Sequence, residues 1–192
     1  GLGDVYKRQL LLAINRGHAR GLHVQPIFFD GHKFRCANAF SNLFLGRDVS
    51  GDQLIDFGPG DHYLSLDLNV TSIEASEPIL KEMQRRGVNL SFLVYDVLPL
   101  LHPEWWPAGL ADGFASWFAV VSRVADRLIC ISRAVRDDVA VQLELNAINT
   151  TGNTTGAPKL GWFHLGADIK NTSPSVHLPR DADDFFGRIV NQ

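Results

Sequence analysis

Four short apolar runs in this 192-residue chain end in side chains that can donate, accept or titrate. The run 63–68 carries Asp67 near its end, and the run 90–94 stops at Tyr95 and Asp96. Ser132 and Arg133 follow the run 127–131, while the run 159–165 contains His164 and is closed by Asp168. Hydroxyls, carboxylates and an imidazole can grip a neutral hydroxylated ligand, or move protons near neutral pH. The stretch 90–107, LSFLVYDVLPLLHPEWWP, is the richest, adding His102, Glu104 and two tryptophans. Flat aromatic faces beside carboxylates suit a sugar-like ligand. Each position also has a structural use: Asp67 can cap the loop after it, and Ser132 can cap the helix that follows.

Other chemistries lack their motifs. No GxSxG elbow, Walker loop or HExxH helix occurs. GPGD at 58–61 precedes a strand instead of following one, so it is not a phosphate cradle. No two carboxylates are placed as a glycosidase pair. Cys36 and Cys130 are far apart and show no metal-ligand spacing. Cys130, in the apolar run LICIS, reads as a buried thiol. Neither a metal nor a resident cofactor is expected.

The elements that must position these side chains alternate strand and helix. Residues 77–86 have helical character, with Pro78 placed in the first turn and Gly87 at the stop. They separate strands 63–68 and 90–94, a spacing that makes a parallel βαβ unit. Pro99 and Pro103 should keep a helix from forming straight after the second strand. In 111–126, Phe114, Trp117, Phe118, Val121 and Val124 form one apolar helical face, which reads as core. A strand over 127–131, a helix over 134–145, a polar loop over 146–158 and a strand over 159–165 repeat the alternation. Nearer the start, 10–19 read as the tail of a helix and 23–29 as a strand, which Pro26 makes an edge strand or a bulged one. Phe34, Ala37, Phe40, Leu43 and Phe44 recur at helical spacing. The fold expected is α/β: an open, mostly parallel, Rossmann-like sheet flanked by helices, with the polar strand ends on one rim.

Composition agrees with a packed domain: 45% of residues are hydrophobic and 20% charged. A net charge of -3 with scattered basic residues argues against a nucleic-acid partner. No apolar run approaches the roughly 20 residues a bilayer-spanning helix needs. Residues 4–9, DVYKRQ, match a translated sequencing adaptor, so 1–9 are set aside from fold reasoning.

FLVYDVLPLLHPEWWP resembles the HDLxPxxxPEWF segment of the group-1 (family four) retaining glycosyltransferases. Three further stretches agree in order: DGHKFRCANAF, ADRLICISRAVRDDV and GWFHLGADI. The resemblance covers 10–192. It implies the N-terminal, acceptor-side half of a two-domain GT-B fold. Residues 10–169 would form that domain, and a linker and helix over 170–192 would lead to a missing donor-binding domain. It further implies sugar transfer, of mannose for instance, from a nucleotide-diphosphate sugar acting as co-substrate to a carbohydrate or lipid-linked acceptor. This piece alone would then be inactive. The implied location is cytoplasmic, with contact at the inner membrane face left open, since no basic amphipathic helix is visible.

The resemblance implies that Asp96 either orients the acceptor hydroxyl or supports its loop. Where the family often has a His before that Asp, this chain has Tyr95, so no catalytic His carries over. Tyr95 is left to line the pocket and His102 to supply some of the lost polarity. Asp67, His102, Ser132, Arg133, His164 and Asp168 are the expected substrate contacts. A non-catalytic carbohydrate-binding or regulatory α/β module is the alternative.

Overall fold

The computed structural model describes residues 22–45, 48, 51–149 and 156–164. The helices expected over 10–19 and 181–190, the linker between 170 and 180, and Asp168 lie outside these residues. In chain order the elements are β1 (Ile27–Phe29), β2 (Phe34–Cys36), α1 (Asn38–Leu45), β3 (His62–Ser65), α2 (Ile73–Arg85) and β4 (Asn89–Val94). They continue with α3 (Leu98–Leu101), a single 3-10 turn (Pro103–Trp105), α4 (Leu110–Val124), β5 (Arg127–Cys130), α5 (Arg133–Asn149) and β6 (Lys159–Trp162).

β3, β4, β5 and β6 form one parallel sheet in that order, flanked by helices, as a Rossmann-like open sheet requires. β4 is buried along nearly its whole length because it is covered on both faces; Leu90, Phe92 and Val94 are at most 1% exposed. The stripe read from the sequence on α4 is core: Phe114, Trp117, Phe118, Val121 and Val124 are all buried. α4 is tied to α2 by Arg123, whose Nε and Nη2 each donate to Glu77 at 3.1 Å. Burial opposes ionisation of Glu77, but Arg123 and Lys81 outweigh it and hold the carboxyl below its ordinary range.

α2 ends in a left-handed turn at Gly87, φ +83°. Gly87 N–H donates to Gln84 O, and Val88 N–H to Met83 O, both at 3.0 Å. Val88 and Met83 are both buried, which completes the hydrophobic contact of this cap. A side chain at Gly87 would also press on Pro59, whose Cα lies 3.3 Å from the position of a Cβ.

One residue sets the amino ends of three strands. Asp126 N–H donates to Leu90 O at 2.9 Å, and its carboxylate accepts Leu90 N–H at 2.7 Å. Its carbonyl accepts Lys159 N–H at 2.9 Å. β4, β5 and β6 are therefore levelled at the rim opposite the polar ends.

Four expectations are corrected. Phe34 is not helical: β1 and β2 form an antiparallel hairpin, and α1 begins only at Asn38. The turn is built by Asp30, whose Oδ1 accepts the N–H groups of His32 and Lys33 while Oδ2 pairs with Arg35. Second, the strand expected over 23–29 is confined to Ile27–Phe29, beyond Pro26, and pairs with β2 in this hairpin. Third, α2 starts one turn earlier than expected, because Ile73 and Ser76 are buried, and Pro78 lies inside it. The hydrogen bond lost to Pro78 falls in the second turn. Fourth, Pro99 does not delay a helix: it occupies the first turn of α3, where its missing N–H costs nothing. The strands are also shorter than expected, since β3 stops at Ser65 and β6 at Trp162. α5 runs on to Asn149, into the segment expected to be loop. An aromatic chain joins the hairpin to the core: Phe29 to Phe34, Phe34 to Tyr63 and Tyr63 to Phe92, at 5.3–5.6 Å between ring centres.

Asp126→Ala is expected to lower unfolding free energy by about 2 kcal/mol, since it strands a buried N–H that was held by a charged acceptor. Asp126→Asn, which keeps an acceptor oxygen, should recover part of the loss in a urea titration.

Candidate functional site

All four strands of the sheet are parallel, so their carboxyl ends share one rim, the side where ligands sit in open α/β sheets. Val94 pairs with Cys130, and Cys130 with Trp162. Asp96, Ser132 and His164 thus each stand two residues beyond one transverse row. Asp67 lies two residues lower, level with Val94, because Ser65 pairs with Phe92.

The rim is not one pocket. Asp67 is exposed and lines a broad groove of about 900 Å³ between the hairpin and β3, together with Phe28, Phe40 and Leu64. Ser65 Oγ donates to the Asp67 carbonyl at 3.2 Å. Tyr95 and Asp96 line a second, smaller cavity of about 110 Å³, between the end of β4, α3 and α4. Its other walls are Leu68, Val70, Leu93, Pro99, Trp106, Leu110, Phe114 and Trp117. Leu68 is common to both spaces.

Several candidate side chains have a structural partner. Tyr95 Oη donates to Leu66 O at 3.3 Å, bridging the ends of β4 and β3. Asp96 is half-buried, and its Oδ1 accepts Leu98 N–H at 3.0 Å, holding the entry to α3. No hydrogen bond reaches Asp96 Oδ2 among the described residues. Ser132 Oγ accepts Val135 N–H at 3.2 Å, which makes Ser132 the N-cap of α5. Arg133 follows it as the first helical residue and is exposed.

The remaining candidates are displaced from the small cavity. The His102 ring stacks on Trp105 at 3.9 Å and 8°, and its Nδ1 lies 3.2 Å from Glu104 Oε1. Glu104's own backbone N–H, and then His102, hold its carboxyl below the usual range. This trio forms a surface platform, with Trp105 64% exposed. His164 is exposed and meets Trp162 edge-on at 5.0 Å. Cys130, directly below Ser132 in the strand, is fully buried, and burial pushes its thiol up to about 11. It stays a neutral thiol near neutral pH and is no nucleophile. Among the described residues no group of His, Cys, Asp and Glu could hold a metal ion, and no helix is long and apolar enough to cross a membrane.

Two residues of the small cavity, Trp106 and Trp117, were not among the expected substrate contacts. Trp117 belongs to a stripe that reads as core, and it is core. Trp106 differs from its neighbour Trp105 only in where the 3-10 turn points it. Spacing alone carries no signal for that.

No family model and no solved structure matches this chain. The curated relatives that do match are three Escherichia coli proteins, each named serotype-specific mannosyltransferase WbdA. Two are 27% identical over 191 residues and one is 28% identical over 184 residues. Each match covers 95% of this chain and 22% of the relative, so the chain spans about a fifth of their length.

Ser132→Ala is expected to cost about 1 kcal/mol of stability through loss of the cap, with Ser132→Asn close to wild type in thermal unfolding. Alkylation of Cys130 by iodoacetamide at pH 8, followed by peptide mass spectrometry, should be detectable only after denaturation. Fast labelling of the folded chain would contradict the buried, neutral thiol.

Proposed function

We propose that this chain is the acceptor-side part of a glycosyltransferase. In this reading a sugar passes from a nucleotide-diphosphate donor to a hydroxyl of a carbohydrate or lipid-linked acceptor. The relatives' name makes mannose the sugar to test first. The similarity to mannosyltransferases along 95% of the chain supports the general chemistry. The finer reading is a retaining, two-domain GT-B enzyme of group 1, and it rests on the motif resemblance. The donor and its departing diphosphate would be held by a segment beyond this chain.

The observation that carries the proposal is the division of labour in Asp96. One oxygen anchors the loop through Leu98, while the other is left beside a cavity walled by aromatic rings. A carboxylate fixed at one oxygen is preorganised to accept a hydrogen bond from an acceptor hydroxyl through the other. Catalysis would then come from holding that hydroxyl in line with the donor carbon. Stabilisation of the leaving diphosphate would be supplied from the donor side. Leu98, Leu101, Trp105 and Leu110 are exposed around the same loop. Such apolar surface beside a sugar site suits an acceptor on an apolar carrier.

The test is made in the longer protein that carries this segment. Asp96→Asn keeps an oxygen for Leu98 N–H and removes the charged acceptor. Turnover should fall by about tenfold or more, within the range lost with a positioned acid–base group, while thermal unfolding is unchanged. Near-normal turnover would reduce Asp96 to loop support.

A further inference from the structure

The turns after β4 fix one aromatic ring on the surface. His102 caps the 3-10 turn and Trp105 is its last residue, with Trp105 N–H donating to His102 O at 3.1 Å. Side chains three apart in a 3-10 turn eclipse each other, so the imidazole and the indole meet face to face, at 3.9 Å and 8°. Glu104 Oε1, 3.2 Å from His102 Nδ1, holds the imidazole in that plane. Pro103, between them, fixes φ and stiffens the turn. A gap of 3.9 Å between parallel rings admits no water, so His102 closes one face of Trp105. Trp105 is nevertheless 64% exposed, and that exposure must come from its opposite face and its edges. A flat aromatic face, supported from behind, is thus turned to solvent before any ligand arrives.

A pyranose ring, a nucleobase and a lipid surface can each use such a face, and the neighbours decide among them. Glu104 is exposed, and its own backbone N–H and His102 hold its carboxyl below the usual range, so it is ionised near neutral pH. No Lys or Arg occurs between Asp96 and Asp112. The phosphates of a nucleotide would meet a like charge on this loop and no counter-charge. Pressing the loop into lipid would desolvate a carboxylate, and anionic headgroups would find nothing to attract them. A neutral pyranose meets neither obstacle. Its C–H groups suit the negative face of the indole, and a hydroxyl can donate to Glu104. Trp106, the next residue, lines the cavity beside Asp96, so a saccharide reaching that cavity passes close to the exposed ring.

We infer that Trp105 is a stacking platform for one pyranose unit of a saccharide acceptor, next to the unit held at Asp96, and that His102 is a positioning residue that keeps the ring in place. The word acceptor rests on the transferase reading, whereas the binding does not need turnover.

The whole chain is labelled with 15N at its tryptophan indoles, with the Trp105 signal assigned from Trp105→Phe, and is titrated with α-linked mannotriose, with GDP and with phosphatidylcholine vesicles. Expected is a saturable shift of the Trp105 signal with mannotriose alone. By calorimetry, Trp105→Ala should weaken mannotriose binding about tenfold, Trp105→Tyr much less, with thermal unfolding unchanged in both. His102→Ala should weaken it about threefold and His102→Phe, which keeps a ring to stack, should restore it. Failure of that rescue would overturn the positioning role. A Trp105 response to GDP or to vesicles in place of the sugar would overturn the platform, as would no response to any of the three. Turnover lost in Asp96→Asn of the longer protein with a silent Trp105 would keep the transferase reading and remove this platform. A responsive Trp105 with normal turnover in Asp96→Asn would do the reverse.

Discussion

Asp126 fixes the relative height of three strands at one end of the sheet, and everything at the other end depends on that. Its backbone N–H and its carboxylate hold the two polar groups of Leu90, and its carbonyl holds Lys159. A strand's side chains alternate faces, so a slip of one residue would turn each apolar set outward. With the amino ends level, the short ladders of β4, β5 and β6 finish in a common row at Val94, Cys130 and Trp162. The polar residues just beyond that row then leave the sheet at the same height, although they line different spaces. The carboxylate that orders the rim is thus on the opposite side of the sheet from the carboxylate proposed to use it.

At the rim itself, the loop after β4 uses the same side chains twice. Tyr95 lends its hydroxyl to Leu66 and its ring to the cavity wall. Asp96 lends one oxygen to Leu98 and stands beside the cavity. Pro99 begins α3 and Pro103 begins the 3-10 turn, each at a position where a missing N–H is harmless. The two turns carry Trp105 outward and Trp106 inward. The aromatic doublet is therefore split between a surface platform with His102 and a buried wall with Trp117. Fixing the backbone through side chains that also line the cavity holds the cavity's geometry before any ligand arrives, which lowers the ordering cost of binding.

The fold was legible in the sequence wherever burial was continuous or periodic. β4 reads as an apolar run because both of its faces are covered, and α4 reads as a helix because its five apolar residues share a face. The parallel βαβ unit followed from the length between two strands. What failed were positions decided by particular side-chain bonds. Phe34 fits a helical period, yet Asp30 caps a turn that makes it a strand residue. Asp52, from a distant loop, caps α1 by accepting from Asn38 N–H at 2.9 Å, and no local pattern announces it. Pro78 was read as a start signal although the buried Ile73 and Ser76 pull the helix one turn back. For the site, sequence gathered the strand-end residues on one rim but could not divide them between two spaces. Nor could it tell that Trp106 lines a cavity while its neighbour Trp105 is exposed, since that depends on the turn between them.

The charge of the rim bears on which half of a transfer reaction it can serve. A departing diphosphate demands cations or a helix terminus directed at the phosphates. Arg133 stands at such a terminus, but Ser132 Oγ already occupies the N–H of Val135 there. Among the described residues, the cavity beside Asp96 is lined by one carboxylate, by aromatic rings and by apolar side chains, and by no cation. A phosphate placed there would meet Asp96 as a like charge. A hydroxyl would meet it as a hydrogen-bond acceptor. If the chain serves the proposed transfer, such a cavity would suit its neutral acceptor better than its anionic donor. That asymmetry is what an acceptor-side surface needs if the nucleotide is to be bound by a different part of the protein.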